Sequence, residues 1–200
     1  LGNGLAPLEP GETDTVIIAG MGGDLICKIL KAKPEFLIEG KEFILQPQSE
    51  WFKIRRLLKE YRYQIEKEWF LKEDGKYYVI IKAEPAWTQP QRLKHQQPSI
   101  HEYIKEISDT QVNQAVSEKD MESIYEQYGK YLIETKNPVL KEYLEKEIVK
   151  KESIAADLKL SIKEMESEEL SGKERGNIAK RQRRYQEIQK EIRDMRKAIG

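Results

Sequence analysis

Two hundred residues leave room for one mid-sized domain, or for a domain with an appendage. Lysine plus arginine and aspartate plus glutamate both number 35, so the net charge is zero and the chain as a whole has no bias toward nucleic acid. A single cysteine, Cys27, excludes an internal disulfide framework. No apolar run approaches the ~20 residues that span a membrane and no signal-peptide pattern is present, so a soluble, cytoplasmic chain without a membrane partner is expected.

In chain order, Gly2 to Pro10 reads as a loop. The opening Leu1-Gly2-Asn3-Gly4-Leu5 has the character of a fold interior rather than a frayed terminus, and an upstream segment is expected to be missing. Asp14–Gly20 holds four consecutive apolar residues (Val16, Ile17, Ile18, Ala19), mostly β-branched, the pattern of a strand buried on both faces in a parallel sheet. It stops at Gly20-x-Gly22-Gly23, and Leu25, Ile26, Ile29 and Leu30 then predict a helix to about Ala32, ended by Pro34. Glu42–Gln46 is a second buried strand closed by Pro47. Ser49 is placed to cap a helix carrying Trp51, Ile54, Leu58 and Tyr61 on one face and Lys53, Arg55, Arg56 and Lys59 on the other. Gln64–Leu71 and Lys76–Ala83 flank an Asp74-Gly75 turn, a hairpin signal. The series β-α-β-α-β-β gives parallel crossovers followed by an antiparallel hairpin at the edge.

Residues 84–98, with three prolines and four glutamines, read as a linker. The expected division is residues 1–86 as an α/β domain, 87–98 as linker and 99–200 as a helical domain. Ser99-x-x-Glu102 is a capping-box pattern, and Asn137-Pro138 pairs a good N-cap with proline at the first helical position. In the helix that follows, Leu144, Ile148, Lys151, Ala155, Leu158, Ile162 and Met165 alternate steps of four and three. After a turn at Leu170-Ser171-Gly172-Lys173, Ile178, Arg181, Tyr185, Ile188, Ile192, Met195 and Ile199 do the same. Two such stripes joined by a glycine turn predict an antiparallel coiled-coil hairpin. Charge is uneven along this half: residues 99–169 carry −7, whereas Lys173–Lys197 holds ten bases and four acids.

The glycine turn lies at the carboxyl end of a strand, where open α/β sheets bind ligands. It is a poor dinucleotide fingerprint, because Leu25 stands where a third glycine would and the second strand ends in Gln46-Pro47 rather than an acid. Either tight strand-to-helix packing or approach of a ligand to bare main chain would call for these glycines. His95 and His101 are isolated, so no metal is expected. Cys27, in the apolar stretch of a helix, reads as a buried small hydrophobe rather than a nucleophile.

Residues 14–25, with their Ala19-Gly20-Met21-Gly22-Gly23 core, resemble the motif of the bacterial tRNA (adenine-22-N1)-methyltransferase family, which uses S-adenosylmethionine. Leu1–Leu5 resembles the family's Leu-Gly-Asp-Gly-Leu loop, with Asn3 in place of the acid. Phe43-Ile44-Leu45-Gln46-Pro47 resembles its Leu-Gln-Pro strand end, and the hairpin followed by a coiled coil matches its layout. The resemblance implies the second half of a Rossmann-like methyltransferase sheet with a terminal antiparallel hairpin, followed by an antiparallel coiled-coil domain. The family's cofactor-cradling glycine loop and ribose-binding acid lie upstream of this region, so these 200 residues are expected to bind S-adenosylmethionine poorly alone.

By that resemblance, Gly2, Asn3, Gly4, Leu5, Ala19 and Gly20 would meet the cofactor, and Ala19, Gly20, Met21, Gly22 and Gln46 would form the catalytic edge. The basic residues Lys173, Arg175, Lys180, Arg181 and Arg184, with Arg55 and Arg56 as a second patch, would hold tRNA phosphates. The competing reading is a non-catalytic coiled-coil interaction module on an α/β scaffold. With no half-sheet beside it, the first strand becomes an apolar edge, and self-association is expected.

Overall fold

The computed structural model describes residues 2–9, 11–86, 116–165 and 172–200, with side chains from 120 and 175 onward in the last two stretches. The chain divides into two compact units, residues 1–135 and 136–200. The expected linker, the Ser99 capping box, His95, His101 and the Leu170-Ser171 turn lie outside the described residues.

The first unit is built on a four-stranded sheet of order β1-β2-β4-β3. Its elements are β1 (Thr15–Met21), α1 (Gly23–Lys31), α2 (Pro34–Ile38), β2 (Glu42–Pro47), α3 (Trp51–Glu60), β3 (Tyr63–Glu73) and β4 (Lys76–Pro85), followed by α4 (Val116–Tyr128) and α5 (Lys130–Glu134). β1 and β2 run parallel with Val16 opposite Phe43 and Ile18 opposite Leu45. β4 returns antiparallel to β2, which leaves β3 at the far edge. The hairpin turns at Asp74 and Gly75, both with positive φ (47° and 75°), the backbone that an Asp-Gly pair accepts most readily. Pro34 opens the short helix α2 rather than merely ending α1, since its missing N–H costs nothing at a first turn.

Alternation decides which face is buried. Val16, Ile18, Phe43, Leu45, Val79, Ile81 and Ala83 turn to one side and pack with Ile26, Leu30, Ile54, Leu57 and Leu58 of α1 and α3. Each of these side chains larger than alanine contributes roughly 1.5–3 kcal/mol on burial. The expectation that β1 is buried on both faces is not met. β1 is an edge strand, and Ile17, on the opposite face, is 68% exposed.

The cap of α3 also differs from expectation. Its N-cap is Glu50, in the left-handed region at φ 54°, and not Ser49. The reason lies at the neighbouring helix: the Ser49 carbonyl accepts Gly23 N–H at 3.0 Å, and Glu50 Oε2 accepts Asp24 N–H at 3.2 Å. Both residues serve the amino end of α1.

The boundary between the units falls well beyond residue 99, because α4 and α5 pack on α3 and β3. In the second unit, Asn137 Oδ1 accepts the N–H groups of Val139 and Leu140, each at 3.0 Å, and so caps α6 (Pro138–Met165). α6 pairs antiparallel with α7 (Gly172–Ile199): Lys151 meets Glu191, Glu152 meets Arg196 and Ser161 meets Arg181. Leu140, Leu144, Ile148 and Ala155 form the seam with Ile178, Ile188, Ile192 and Met195. Ala198, rather than Ile199, takes the last buried position, and Lys151 ends in an ion pair rather than in the seam.

Candidate functional site

The carboxyl ends of β1 and β2 meet at a bend. The parallel ladder pairs Ala19 with Gln46 and Met21 with Pro47, so Gly20 is an extra residue bulged out of register. Gly20 takes φ +79°, and no heavy atom lies within 4 Å of where a Cβ would sit. Its N–H donates to Gln46 Oε1 at 2.8 Å, and one residue on, the Met21 carbonyl accepts Gln48 N–H at 2.8 Å. Ala19, Gly20 and Met21 are all exposed, so the bend is a run of bare main chain rather than a filled corner.

The next glycines do different work. A Cβ on Gly23 would lie 2.6 Å from the Glu50 carbonyl oxygen and 2.7 Å from that of Ser49, so only glycine lets the start of α1 pack against the start of α3. Gly22, the N-cap of α1, is half-buried against Ser49.

A cluster of charges rims the bend. Asp24 accepts Lys28 at 2.8 Å and Lys53 at 2.9 Å, and Lys53 also reaches Glu50 at 2.6 Å. Hydrogen bonds from Lys28 and then Lys53 hold the Asp24 carboxyl down to about 2. The Lys53 hydrogen bond likewise holds Glu50 below the usual carboxylate range, and Lys53 itself is raised by Glu50 and Asp24. Cys27 Sγ, half-buried, lies 3.5 Å from the Lys53 carbonyl oxygen, and burial pushes its thiol up, away from the reactive thiolate.

The loop of Gly2, Asn3, Gly4 and Leu5 turns on itself through Ala6 N–H to the Asn3 carbonyl. Leu5 is buried, and a Cβ on Gly4 would touch Ile29 at 2.9 Å. Ile29 lies six residues past Gly23, about 9 Å along the helix. This loop is therefore tied to the flank of α1, whereas Ala19, Gly20, Met21, Gly22 and Gln46 come together at the bend.

The basic face expected on α3 is engaged in ion pairs within the fold, Lys53 with Asp24 and Glu50 and the other three with acids of β3 and α4. Arg55, 5% exposed, is buried on Glu68. Arg56 pairs with Glu126 at 2.5 Å, which also raises its pKa, and Lys59 pairs with Glu122. Arg55 is thus out of reach of a phosphate, its anion being Glu68 of β3, whereas Arg56, 64% exposed, is paired with Glu126 of α4. Glu68, the partner of Arg55, was not legible as a site residue. Two clefts of about 660 and 540 Å³ lie along this seam, sharing Arg55, Lys59, Ile65 and Lys130, on α3, β3 and α5 rather than at the bend.

On α7, Arg175, Lys180, Arg181 and Arg184 are all exposed. Arg184 is shared between Glu187 (3.2 Å) and Glu191 (3.4 Å), and Arg181 reaches Ser161. Lys173 lies in α7 with its side chain outside the described set. Among the described residues one trio of carboxylates converges, Glu42, Glu66 and Glu84, and the Lys82 ammonium fills it at 3.0, 2.6 and 3.3 Å.

The model of the tRNA (adenine(22)-N(1))-methyltransferase family, TrmK, matches residues 1–126. The chain belongs to this family. A relative from Bacillus subtilis, named tRNA (adenine(22)-N(1))-methyltransferase, is 34% identical over 144 aligned positions, covering 56% of this chain and 59% of its own length. This chain thus spans well under two thirds of that TrmK relative. The crystal structure of the B. subtilis m1A22 tRNA methyltransferase TrmK superposes with a TM-score of 0.61 at 24% identity, covering all of this chain and 68% of that one. Streptococcus pneumoniae Sp1610, named a putative tRNA (m1A22) methyltransferase and solved in complex with S-adenosyl-L-methionine, gives a TM-score of 0.60 at 22% identity, over all of this chain and 66% of the other. The sheet and crossovers described above are accordingly those of a Rossmann-like TrmK fold.

Proposed function

We propose that this protein transfers a methyl group from S-adenosyl-L-methionine to the N1 ring nitrogen of adenine 22 in tRNA. The observation that carries the reading is the open bend at Ala19-Gly20-Met21, main chain without side-chain cover at the carboxyl end of a parallel strand, in a chain of the TrmK family.

An open glycine bend fits the flat edge of a purine and the close approach of a methyl donor. When bound, S-adenosylmethionine supplies an activated methyl on a sulfonium. Ala19 and Gly20 would hold it, with Gly2, Asn3, Gly4 and Leu5 as further candidates. The adenine nitrogen is already a lone-pair nucleophile, so no strong base is needed and positioning with electrostatics does most of the catalysis. The methylated ring is cationic until its amino group gives up a proton. Carbonyls of Ala19 and Gly20 accept that N–H and favour the developing charge, while Met21 packs on the base. In folded RNA the target base must leave its stack to reach the bend. The exposed bases of α7 hold tRNA phosphates without reading sequence. The reaction belongs to the cytoplasm, in keeping with the lack, among the described residues, of any helix long and apolar enough to cross a membrane.

The test is methyl transfer from labelled donor onto tRNA lacking the modification, with the position read by mass spectrometry of nuclease fragments. Label at N1 of adenine 22 is expected. Label elsewhere, or none with an intact, folded protein, overturns the assignment.

A further inference from the structure

We infer that Gln46 is a positioning residue that acts on the reaction through Gly20, rather than a group that touches the base; this rests on the methyl-transfer reading above. The bulge explains why such a residue is needed. Where the ladder slips between Ala19 and Met21, the Gly20 N–H has no carbonyl of β2 in register. Gln46 Oε1 takes that place at 2.8 Å, so a side chain stands in for the missing rung.

The bond also fixes the amide. A main-chain N–H can only donate, so the oxygen must face Gly20 and Nε2 must turn the other way. There Nε2 is buried with no hydrogen-bond partner among the described residues. A buried donor left unpaired is destabilising. An apolar side chain at position 46 would avoid that cost, so sheet stability alone does not favour glutamine here. What glutamine provides is control of the peptide planes on either side of Gly20. Among the described residues nothing lies within 4 Å of where a Cβ on Gly20 would sit, and glycine visits both signs of φ with ease. Gln46 on one side and the Gln48 N–H on the Met21 carbonyl pin the segment whose carbonyls face the reacting adenine. Without the first pin the Ala19 and Gly20 carbonyls swing, and a shift of about 1 Å at a reacting centre costs about 10²-fold in rate.

The test uses two variants of the intact protein. Gln46→Met keeps the length and removes the acceptor, and Gln46→Glu keeps an acceptor oxygen. Amide hydrogen exchange should show Gly20 losing protection by about tenfold or more in Gln46→Met, the worth of one hydrogen bond. Ile18, in the same strand, should be unchanged, which separates a local effect from a failure to fold. In steady-state methyl transfer, kcat should fall about tenfold or more with KM for tRNA held within about threefold, and Gln46→Glu should recover most of it. Unchanged exchange at Gly20 in Gln46→Met, or a rise in KM at constant kcat, overturns the inference. A wild-type protein that binds tRNA but transfers no methyl sinks the proposed function instead, while Gly20 exchange still reports on the strap.

Discussion

Arg55 Nε donates to Glu68 Oε1 at 2.7 Å where neither side chain meets solvent, the two being 4% and 0% exposed. The same guanidinium donates from Nη1 to the carbonyls of Glu126 (3.2 Å) and Gln127 (3.0 Å) near the carboxyl end of α4. One arginine on α3 thus neutralises a buried acid on β3 and satisfies a helix end some seventy residues away, where a cation is favoured. This contact gives the physical reason why α4 and α5 belong to the α/β unit. Removing one partner leaves a charge buried alone. Arg55→Met or Glu68→Leu should each cost about 3–5 kcal/mol in urea unfolding, and the double variant far less than their sum. Strict additivity would show that the pair is not coupled.

Gly129 closes over that pair. Its φ is +92°, and a Cβ there would lie 2.4 Å from Glu68 Oε2 and 2.9 Å from Arg55 Nη2. Gly129→Ala should therefore destabilise by about 2 kcal/mol or more. Gly176, inside α7 with nothing within 4 Å, is the control: Gly176→Ala should stabilise by about 1 kcal/mol. Thermal unfolding of the two variants in opposite directions is the check; equal shifts would mean that the space around Gly129 is not what matters.

How much of this was legible depends on the kind of signal. The strands β1 and β2, the Asp74-Gly75 hairpin and the Asn137-Pro138 start of α6 are local patterns, and each lies where its residues placed it; the seam of α6 and α7 does so except at Lys151, Arg181 and Ile199. What was missed is non-local. Glu68 turns inward because the β3 ladder shifts register between Ile65 and Lys67, which moves the buried set from Tyr63 to Glu68 and Phe70. No residue type announces that bulge. Once Glu68 is inside, Arg55 follows, and an apparent basic surface is engaged in ion pairs within the fold. Ser49 looked like a cap by its chemistry, but its carbonyl and the Glu50 side chain serve α1 instead. At the bend, the glycines left tight packing and ligand approach equally open; Gly23 is required by packing, whereas Gly20 has open space beside it.

Acid should reveal the charge cluster beside the bend. Asp24 titrates near 2 in the folded protein against 3.8 ordinarily, because Lys28 and Lys53 hydrogen-bond to it. A lowered folded pKa gives a contribution to stability that is present above 3.8 and lost as pH falls toward 2. Glu68 has the opposite sign, since burial raises its pKa above the usual value despite Arg55. Its contribution is fullest below the ordinary carboxylate pKa and falls away as pH rises through the raised one. Asp24→Asn should flatten the loss of stability between about pH 4 and 2, and 1 M salt should mimic it because the group is exposed to solvent. An unchanged acid limb in Asp24→Asn would assign that loss to other carboxylates.

On α7, ion pairing separates bases that are spent from bases that are available. Arg184, Lys190 and Arg196 are matched by Glu187, Glu191, Asp194 and Glu152, whereas Arg175, Lys180, Arg183 and Arg193 have no ion pair among the described residues. Reversing Arg175, Lys180 and Arg183 together should weaken tRNA binding and lower the log–log salt slope by about 0.7–0.9 for each phosphate no longer neutralised. Reversing Arg184 and Arg196 should do less. Titrations at several salt concentrations decide it, and equal slopes in both variants would remove α7 as the tRNA-holding surface.

Among the described residues β1 is hydrogen-bonded to β2 alone, and its sequence Thr15–Met21 contains no charged residue to discourage a second strand from pairing with it. Ile17, 68% exposed, marks the uncovered face of the same strand. The 200-residue chain should therefore self-associate at about 100 μM, a concentration at which unpaired strand edges find one another. Ile17→Lys should restore the monomer while shifting stability by no more than about 0.5 kcal/mol, because the side chain it replaces is already in water. Val149, 66% exposed on α6, supplies the comparison. If Val149→Lys gives the monomer and Ile17→Lys does not, association runs through the helical unit. If sedimentation shows the wild-type chain monomeric throughout, the edge is protected in solution and β1 is not an association site.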